Sequence, residues 1–198
     1  MKGLEELFQA RFDLEKIPIA SDLIVREVTV TIEDREFFEY VKSKINVDRI
    51  GEVVFAIKDG EEVLVVRQKE YPDKVYRIPS GGIGLNEDVD EALKREVKEE
   101  LALNIKDFLL IGAIKYNLVC LQEHLDFYSF VFLIEKCEKD NLAKTDGEIS
   151  EAIKVSLDGL KNLSDILKEQ KGFWGDWGKF RYHSTYLVYE YLVRKKIN

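Results

Sequence analysis

Alternating hydrophobic and polar positions near the amino terminus predict a strand. Residues 23–32 end in strict alternation, with Val28, Val30 and Ile32 on one face and polar side chains between them. A period of two residues is typical of a strand that buries one face. The amino-terminal part of the chain therefore contributes at least one half-buried strand.

Helical spacing occurs on both sides of this strand. Residues 4–8 have the pattern of a short amphipathic helix, which Pro18 interrupts. Asp34 is placed to cap a second helix, whose apolar side chains repeat at helical spacing as far as Ile45. Together with the strand, these segments form an amino-terminal extension, residues 1–47, ahead of a different pattern.

From residue 49 onward, strands dominate. Residues 51–57 and 62–68 are short apolar runs on either side of an Asp-Gly dipeptide, which is typical of a tight hairpin. Residues 107–118 and 125–135 are longer runs joined by a short polar turn. These four runs predict the main strands of a sheet.

The carboxyl-terminal third predicts one more strand and two helices. A short strand at 152–155 precedes a helix at 157–169, and a glycine-rich loop at 172–178 precedes a closing helix. Trp174 and Trp177 in that loop could stack a base, but we interpret them as packing anchors. The order of elements predicts an α/β fold, in which a mixed sheet is covered on both sides as an α/β/α sandwich.

The candidate chemistry lies between residues 81 and 103. Gly81 and Gly82 follow Pro79, so the backbone turns sharply and is open to close approach. Asn86 is predicted to cap a helix that buries an apolar stripe. The apolar residues of this stripe are Val89, Leu93, Val97 and Leu101.

Three carboxylates lie beside this stripe. At helical spacing, Glu96, Glu99 and Glu100 fall within an arc of about 100°. Like charges so close repel each other, and a hard divalent cation such as Mg²⁺ would gather them together with substrate phosphates. The alternative is a solvated acidic face. The spacing alone leaves both interpretations open.

This stretch resembles the Nudix box, a motif with nine specified positions of which eight match. The matching residues are Gly81, Glu87, Arg95, Glu96, Val97, Glu99, Glu100 and Leu103. The mismatch is Ala102, where the family has glycine. A left-handed alanine costs about 1 kcal/mol, so we expect the helix to extend to about residue 103 and to close at Asn104.

The resemblance covers roughly residues 48–195 and implies a Nudix hydrolase domain at 48–198 with the α/β/α fold of that family. The implied activity is metal-dependent hydrolysis of a pyrophosphate bond in a nucleoside diphosphate linked to another group. Arg67-Gln68 resembles the ADP-ribose and nucleotide-sugar pyrophosphatases of the family. The alternatives are a nucleoside triphosphate pyrophosphohydrolase and a non-catalytic nucleotide-sensing module.

The resemblance also implies roles for individual residues. The metal ligands, for Mg²⁺ or Mn²⁺, are Glu96, Glu99, Glu100 and the backbone carbonyl of Ser80. Arg95 and Glu87 form a pair that orients the helix. A further catalytic acid is expected from a late loop, where Asp146, Glu148 and Glu151 are the candidates and the last two are favoured. The expected substrate-binding residues are Arg67, Arg77, Gly81 and Gly82.

Charge and cysteine content restrict the remaining possibilities. The chain has 198 residues, a net charge of −8 and a pI near 5.0, so we expect a small-molecule nucleotide substrate and neither nucleic-acid nor membrane partners. No signal-peptide or membrane-span pattern is present, which favours a cytoplasmic enzyme.

Cys120 and Cys137 are expected to be free thiols. Residues 1–47 either cover the core or mediate dimerisation, as amino-terminal strands do in some Nudix proteins, and the second interpretation favours a homodimer.

Overall fold

A mixed seven-stranded sheet forms the centre of the computed structural model, which describes residues 8, 12–45, 47, 49–139 and 147–197. Its strands are β1 (Ile19–Thr31), β2 (Gly51–Asp59), β3 (Glu62–Gln68), β4 (Ser80–Ile83), β5 (Leu103–Cys120), β6 (Glu123–Lys139) and β7 (Ile149–Val155). The helices within the described ranges are α1 (Arg35–Lys44), α2 (Val89–Leu101), α3 (Leu157–Lys168) and α4 (Phe173–Ile197).

The strand order is β1-β5-β6-β2-β3-β7, and β4 pairs with β2 beside this path. The pairs β5–β6, β2–β3 and β3–β7 are antiparallel, whereas β1–β5 and β6–β2 are parallel. The predicted hairpin between β2 and β3 is therefore confirmed, and so is the predicted mixed sheet.

Two separate hydrophobic cores lie on opposite faces of this sheet. Along β6, Phe130, Phe132 and Ile134 point to the core that contains α2, and the intervening Val131 and Leu133 point to the core that contains α1, α3 and α4. The alternation follows from the pleat of a strand that is buried on both faces. The structure is thus an α/β/α sandwich, as predicted.

The sheet splits between β2 and β3, and residues 79–84, which are called the glycine turn below, fill the split. The predicted sharp turn at Gly81 and Gly82 was wrong, because both glycines lie within the extended strand β4 and pair with β2. The two strands pair only near the hairpin, at Lys58 with Val63 and Asp59 with Glu62. Farther along, β4 pairs with the start of β2, and Arg77 forms an isolated bridge with β3. The backbone of residues 77–83 is therefore held by hydrogen bonds from both sides, which fixes the turn beside α2.

The described part of the amino-terminal extension belongs to the same sheet. The predicted strand is β1, and the predicted cap is confirmed because Asp34 accepts a hydrogen bond from the Phe37 backbone N–H at 3.0 Å. The predicted helix at 4–8 lies outside the described residues except for Phe8. The boundary between residues 1–47 and 48–198, the homodimer and the cytoplasmic location stay predictions.

Both predicted ends of α2 were wrong. The helix begins after Asp88 rather than Asn86, and it ends at Leu101. Ala102 adopts the left-handed conformation itself, with φ of 53°, so the helix does not extend to a closure at Asn104. The physical reason is that β5 starts at once, at Leu103, where the backbone pairs with β6.

The predicted loop at 172–178 is helical, because α4 already begins at Phe173. A Cβ at Gly178 would lie 2.0 Å from the backbone oxygen of Leu167, so this glycine lets α4 pass very close to the end of α3. Trp177 is buried against Tyr71, which confirms its interpretation as a packing anchor.

Both cysteines are free, as expected. Among the described residues, no helix meets the length and hydropathy that a membrane span requires.

Candidate active site

Helix α2 lies across β2, β4 and β5 and presents its three box glutamates at different depths. Its apolar stripe is buried, and Glu100, beside the stripe, is only 5% exposed. The Glu96 side chain is 13% exposed and that of Glu99 is 51% exposed. The carboxylates therefore form a row from the protein interior to solvent.

Arg95 ties this helix to the glycine turn. Its Nε and Nη2 atoms donate to the two carboxylate oxygens of Glu87 at 2.7 and 2.8 Å, and Nη2 also donates to the Gly82 carbonyl at 2.9 Å. Glu87 in turn accepts from the Gly84 backbone N–H at 2.9 Å. The two side chains thus form the expected pair, with a bidentate geometry that fixes orientation as well as distance.

The same guanidinium gathers two of the box carboxylates. Nη1 of Arg95 donates to Glu96 at 2.7 Å and to Glu99 at 3.0 Å. The hydrogen bonds to Glu87 are the main cause that raises the pKa of Arg95. Burial is the main cause that raises the pKa of Glu96, and the like charge of Glu99 adds to it, whereas Arg95 acts in the opposite direction.

Glu96 occupies space that only a glycine leaves open. A Cβ at Gly81 would lie 1.9 Å from Cδ of Glu96, so the carboxylate rests directly on the backbone of the turn. Gly81 is therefore required for a close contact between the turn and the carboxylate. Ser80, whose carbonyl is an expected ligand, immediately precedes this contact.

The donor set fits a hard divalent cation. The carboxylates of Glu96, Glu99 and Glu100 and the carbonyl of Ser80 offer oxygen only, which Mg²⁺ and Mn²⁺ prefer. As the side chains stand, no group of three or more His, Cys, Asp or Glu residues within the described ranges is arranged as a metal site. Arg95 binds Glu96 and Glu99, and a cation would compete with it for their oxygens.

A buried polar network lies behind the glycine turn and contains Arg77. This side chain is 4% exposed and donates to the Tyr71 hydroxyl at 2.7 Å, the Ile78 carbonyl at 3.0 Å and the Ser80 hydroxyl at 3.1 Å. Burial alone would lower its pKa, but Tyr71 and the nearby carboxylates of Glu100 and Glu52 raise it. Arg77 therefore stays charged inside the protein, next to Glu100.

Sequence reasoning missed the other members of this network. Glu52 is 2% exposed and accepts from Ser129 Oγ at 2.6 Å and from Arg181 Nη1 at 2.6 Å. Glu52 and Ser129 are polar residues within otherwise apolar strands, and this could have signalled a buried polar contact. Arg181, on α4, had no comparable signal in the sequence.

A further arginine, Arg49, lies close to Gly82 and Glu96. The Arg49 guanidinium carbon lies 3.2 Å from where a Cβ of Gly82 would be, and its charge acts to lower the pKa of Glu96. Arg49, Arg77, Arg95 and Arg181 thus surround a turn of a few residues in a chain whose net charge is −8. These arginines lie among the carboxylates of the same site and offset their negative charge, so the charges around the turn are close to balance.

The two late-loop candidates lie in a second cluster, at the edge formed by β3 and β7. Glu148 accepts from the Gln68 side chain at 3.2 Å, and Glu151 lies 3.9 Å from Arg67 on the paired strand. A hydrogen bond from Tyr76 to Glu151 raises the pKa of Tyr76. Asp146 lies outside the described residues. The assignment of a base to these acids stays a prediction.

The two clusters are connected through Tyr71. Arg67 Nη2 donates to the Tyr71 carbonyl at 3.5 Å, and the Tyr71 hydroxyl accepts from Arg77. The structure therefore brings the predicted residues together in two groups, and Tyr71 contacts both groups. One group surrounds the glycine turn and α2, and the other lies along β3 and β7.

Comparison with known proteins identifies the class of this fold and site. The family model of the NUDIX domain matches residues 48–174, and the chain therefore belongs to the Nudix family. Nudix hydrolases generally use divalent metal ions. Arg181 and the strand β1 lie outside the matched residues.

Individual relatives resemble the chain in part. Over 64 residues it is 38% identical to the RNA pyrophosphohydrolase of Hamiltonella defensa, and the match covers 32% of this chain and 37% of that protein. An ADP compounds hydrolase structure has a TM-score of 0.53 at 18% identity, and the alignment covers 73% of this chain and 74% of the hydrolase chain. At this identity the similarity shows the fold alone. A MutT Nudix hydrolase structure from Burkholderia pseudomallei has a TM-score of 0.46 at 20% identity. The alignment covers 55% of this chain and 83% of the MutT chain.

Proposed function

We propose that this protein is a divalent-metal-dependent hydrolase that cleaves a pyrophosphate bond in a nucleoside diphosphate linked to another group. The observation that carries this proposal is the bidentate contact of Arg95 with Glu87, extended to the Gly82 carbonyl. It joins the glutamate-bearing helix to a glycine turn, in a chain that matches eight of nine box positions.

Each part of the site has a task in this reaction. Glu96, Glu99, Glu100 and the Ser80 carbonyl would hold Mg²⁺ or Mn²⁺, which supplies positive charge to offset the repulsion between a pyrophosphate and an attacking water. Gly81 and Gly82 leave the backbone open to close approach by a phosphate. Arg95 and Glu87 keep the helix and the turn in register.

The proposed acid from the late loop and the phosphate-binding arginine belong to the second cluster. Arg67 has a side chain that is 24% exposed and lies beside Glu151, so it is placed where a substrate group can reach it. Arg77 is buried and held by Tyr71 and Ser80, which supports a role behind the turn. We propose Glu148 or Glu151 as the base because both lie on the exposed β3–β7 edge.

The proposed substrate type is ADP-ribose or a nucleotide sugar, on the resemblance of Arg67-Gln68 to that group. A second candidate is the triphosphorylated 5′ end of RNA, supported by the identity with an RNA pyrophosphohydrolase. The negative net charge opposes RNA binding over a broad surface, but divalent cations bound at the box glutamates would offset the phosphate charge of either substrate.

One screen tests these proposals together. Purified protein with Mg²⁺ or Mn²⁺ is incubated with ADP-ribose, nucleotide sugars, dinucleotides, nucleoside triphosphates and 5′-triphosphorylated RNA, and the products are identified. Glu99→Gln and Glu100→Gln should lower turnover at least about 100-fold, because each removes a charged oxygen ligand. Glu91→Gln, on the exposed side of the same helix, is the matched control and should retain wild-type turnover.

The outcomes separate the candidate functions. A nucleoside monophosphate and a sugar phosphate as products would support the nucleotide-sugar type, and pyrophosphate release from RNA would support the second candidate. Turnover that survives both glutamate changes would contradict the proposed metal site. Tight nucleotide binding without turnover of any substrate would favour a nucleotide-sensing module instead.

A further inference from the structure

Arg181 reaches the glycine turn from a helix that the family match does not include. It lies on α4, beyond residues 48–174, and its Nη1 atom is 2.6 Å from a Glu52 oxygen and 3.1 Å from Ser80 Oγ. Its side chain is 16% exposed. Helix α4 is thereby connected to the residue that immediately precedes the box.

The Ser80 hydroxyl is held from three directions. It accepts from Arg77 and from Arg181, each at 3.1 Å, and donates to Glu52 at 3.4 Å. A hydroxyl has one donor and two acceptor positions, so all of them are in use. The backbone of Ser80 is paired with Val54 of β2. Ser80 therefore has little freedom to rotate or shift.

Glu52 is the anchor of this arrangement. It is buried and accepts from Ser129 on β6 as well as from Arg181. A buried carboxylate without a cationic partner is strongly unfavourable, so the pair holds the Arg181 guanidinium in one place. A neutral side chain at position 181 would remove the donor to Ser80 and leave the charge of Glu52 without this partner.

We propose that Arg181 is a positioning residue of the metal site: anchored by Glu52, it fixes Ser80 so that the Ser80 carbonyl faces the cation in a constant position. The inference rests on the proposed function only because that proposal assigns the carbonyl to the metal. Arg181 acts through Ser80 and touches neither metal nor substrate. Arg181 lies on α4, whereas the other residues of the metal site lie within residues 48–174, which the Nudix family model matches.

The primary test is a double-mutant cycle read by Mn²⁺ binding alone. Isothermal titration with Mn²⁺ is carried out on the wild type, Arg181→Met, Ser80→Ala and the double variant. Each single change should weaken Mn²⁺ affinity about fivefold or more. The double variant should bind Mn²⁺ no more weakly than the poorer single variant, because both changes remove the same hydrogen bond between Arg181 and Ser80. Ser80→Ala keeps the backbone carbonyl, so its effect reports on position and not on loss of the ligand.

Two further variants serve as controls. Arg181→Lys keeps the charge and one donor, and should recover part of the affinity lost in Arg181→Met. Arg194→Met removes an exposed arginine from the same helix, where it pairs with Glu190, and should bind Mn²⁺ as the wild type does. Circular dichroism establishes that each variant is folded. If Arg181→Met does not fold, the cycle is run with Arg181→Lys, and a smaller coupling of the same sign with Ser80→Ala is expected.

Wild-type Mn²⁺ affinity in a folded Arg181→Met, or effects that add in the double variant, would overturn the inference. With an active substrate, the Mn²⁺ concentration for half-maximal rate should rise and kcat should fall, while KM at saturating Mn²⁺ stays within about twofold of the wild type. A change in KM alone would overturn the inference and indicate contact with the substrate. If the wild type hydrolyses no substrate, the proposed function fails, and the binding cycle still decides the role of Arg181.

Discussion

At the scale of single residues, Gly81 and Glu96 have to be considered as one unit. The carboxylate of Glu96 occupies the volume that any side chain at position 81 would need. Arg95 then holds that carboxylate together with Glu99. The position of the Glu96 carboxylate therefore depends on glycine at position 81, which has no side chain to displace it.

Gly81→Ala should therefore impair metal binding more than folding. The new Cβ forces the end of the flexible Glu96 side chain to move, and a carboxylate displaced from its position should lose Mn²⁺ affinity about tenfold or more. Titration with Mn²⁺ and thermal unfolding measure the two effects. Gly84→Ala in the same turn, where a Cβ comes no closer than 3.3 Å to another atom, is the control. Equal Mn²⁺ affinity in both variants would contradict this explanation.

Ala102 offers a second test at residue scale, because it holds a left-handed conformation with φ of 53°. Ala102→Gly should stabilise the protein by about 1 kcal/mol, since glycine adopts this conformation without the Cβ penalty. The midpoint of thermal unfolding should rise by about 2–4 °C. Ala92→Gly, a buried right-handed position in the same helix, should destabilise instead. A lower midpoint for Ala102→Gly would show that the alanine is not strained.

At the scale of elements, the contact between α3 and α4 determines where α4 begins. The glycines between residues 172 and 178 predicted a loop, but Gly175 and Gly178 lie within α4 and permit close approach to backbone oxygens of Gln170 and Leu167. Glycine lowers helix propensity, and close packing of the two helices outweighs that cost here. Local sequence preference could not predict this, because the packing partner is another helix.

Gly178→Ala tests this contact directly. Its Cβ would lie 2.0 Å from the Leu167 backbone oxygen, so the two helices would have to separate, and the loss should be about 2–4 kcal/mol. Urea unfolding measures the change. A Cβ at Gly159 in α3 would come no closer than 3.1 Å to another atom, the Cβ of Val155, so Gly159→Ala should be far better tolerated. Similar stability of the two variants would mean that α4 is not held closely against α3.

At the scale of the whole molecule, the parts predicted from sequence are those whose partners are close along the chain. The box helix, the hairpin and the Arg95–Glu87 pair depend on spacing within a few turns. The contact of Arg181 with Glu52 joins residues 129 positions apart and depends on the complete sheet and on α4. It could not be predicted from a motif, although the isolated Glu52 in an apolar strand signalled that a partner was required.

The same long-range packing makes stability depend on pH through His183. Burial lowers the pKa of this histidine to about 4, and the charges of Arg26 and Lys168 contribute. The unfolded chain, with a pKa near 6.5, binds the proton more readily, so stability falls as the pH decreases from 6.5 to 4. At pH 5 the loss attributable to His183 should be about 2 kcal/mol.

Urea unfolding at pH 7.5 and pH 5.0 checks this expectation. His183→Gln cannot gain the charge, so its stability relative to the wild type should increase by about 2 kcal/mol between the two pH values. His124→Gln, at an exposed position, is the control and should follow the wild type. The same pH response in His183→Gln and the wild type would show that His183 does not titrate in this way.

Glu96 and Glu99 should exchange their contacts with Arg95 for a divalent cation, which Glu100 also binds, beside the glycine turn. A crystal structure from crystals soaked in Mn²⁺ measures this most directly, since anomalous scattering locates the ion. We expect Mn²⁺ to be bound by carboxylate oxygens of Glu96, Glu99 and Glu100 and by the Ser80 carbonyl. Crystals in which Arg95 still holds Glu96 and Glu99, with Mn²⁺ elsewhere or not bound, would contradict it.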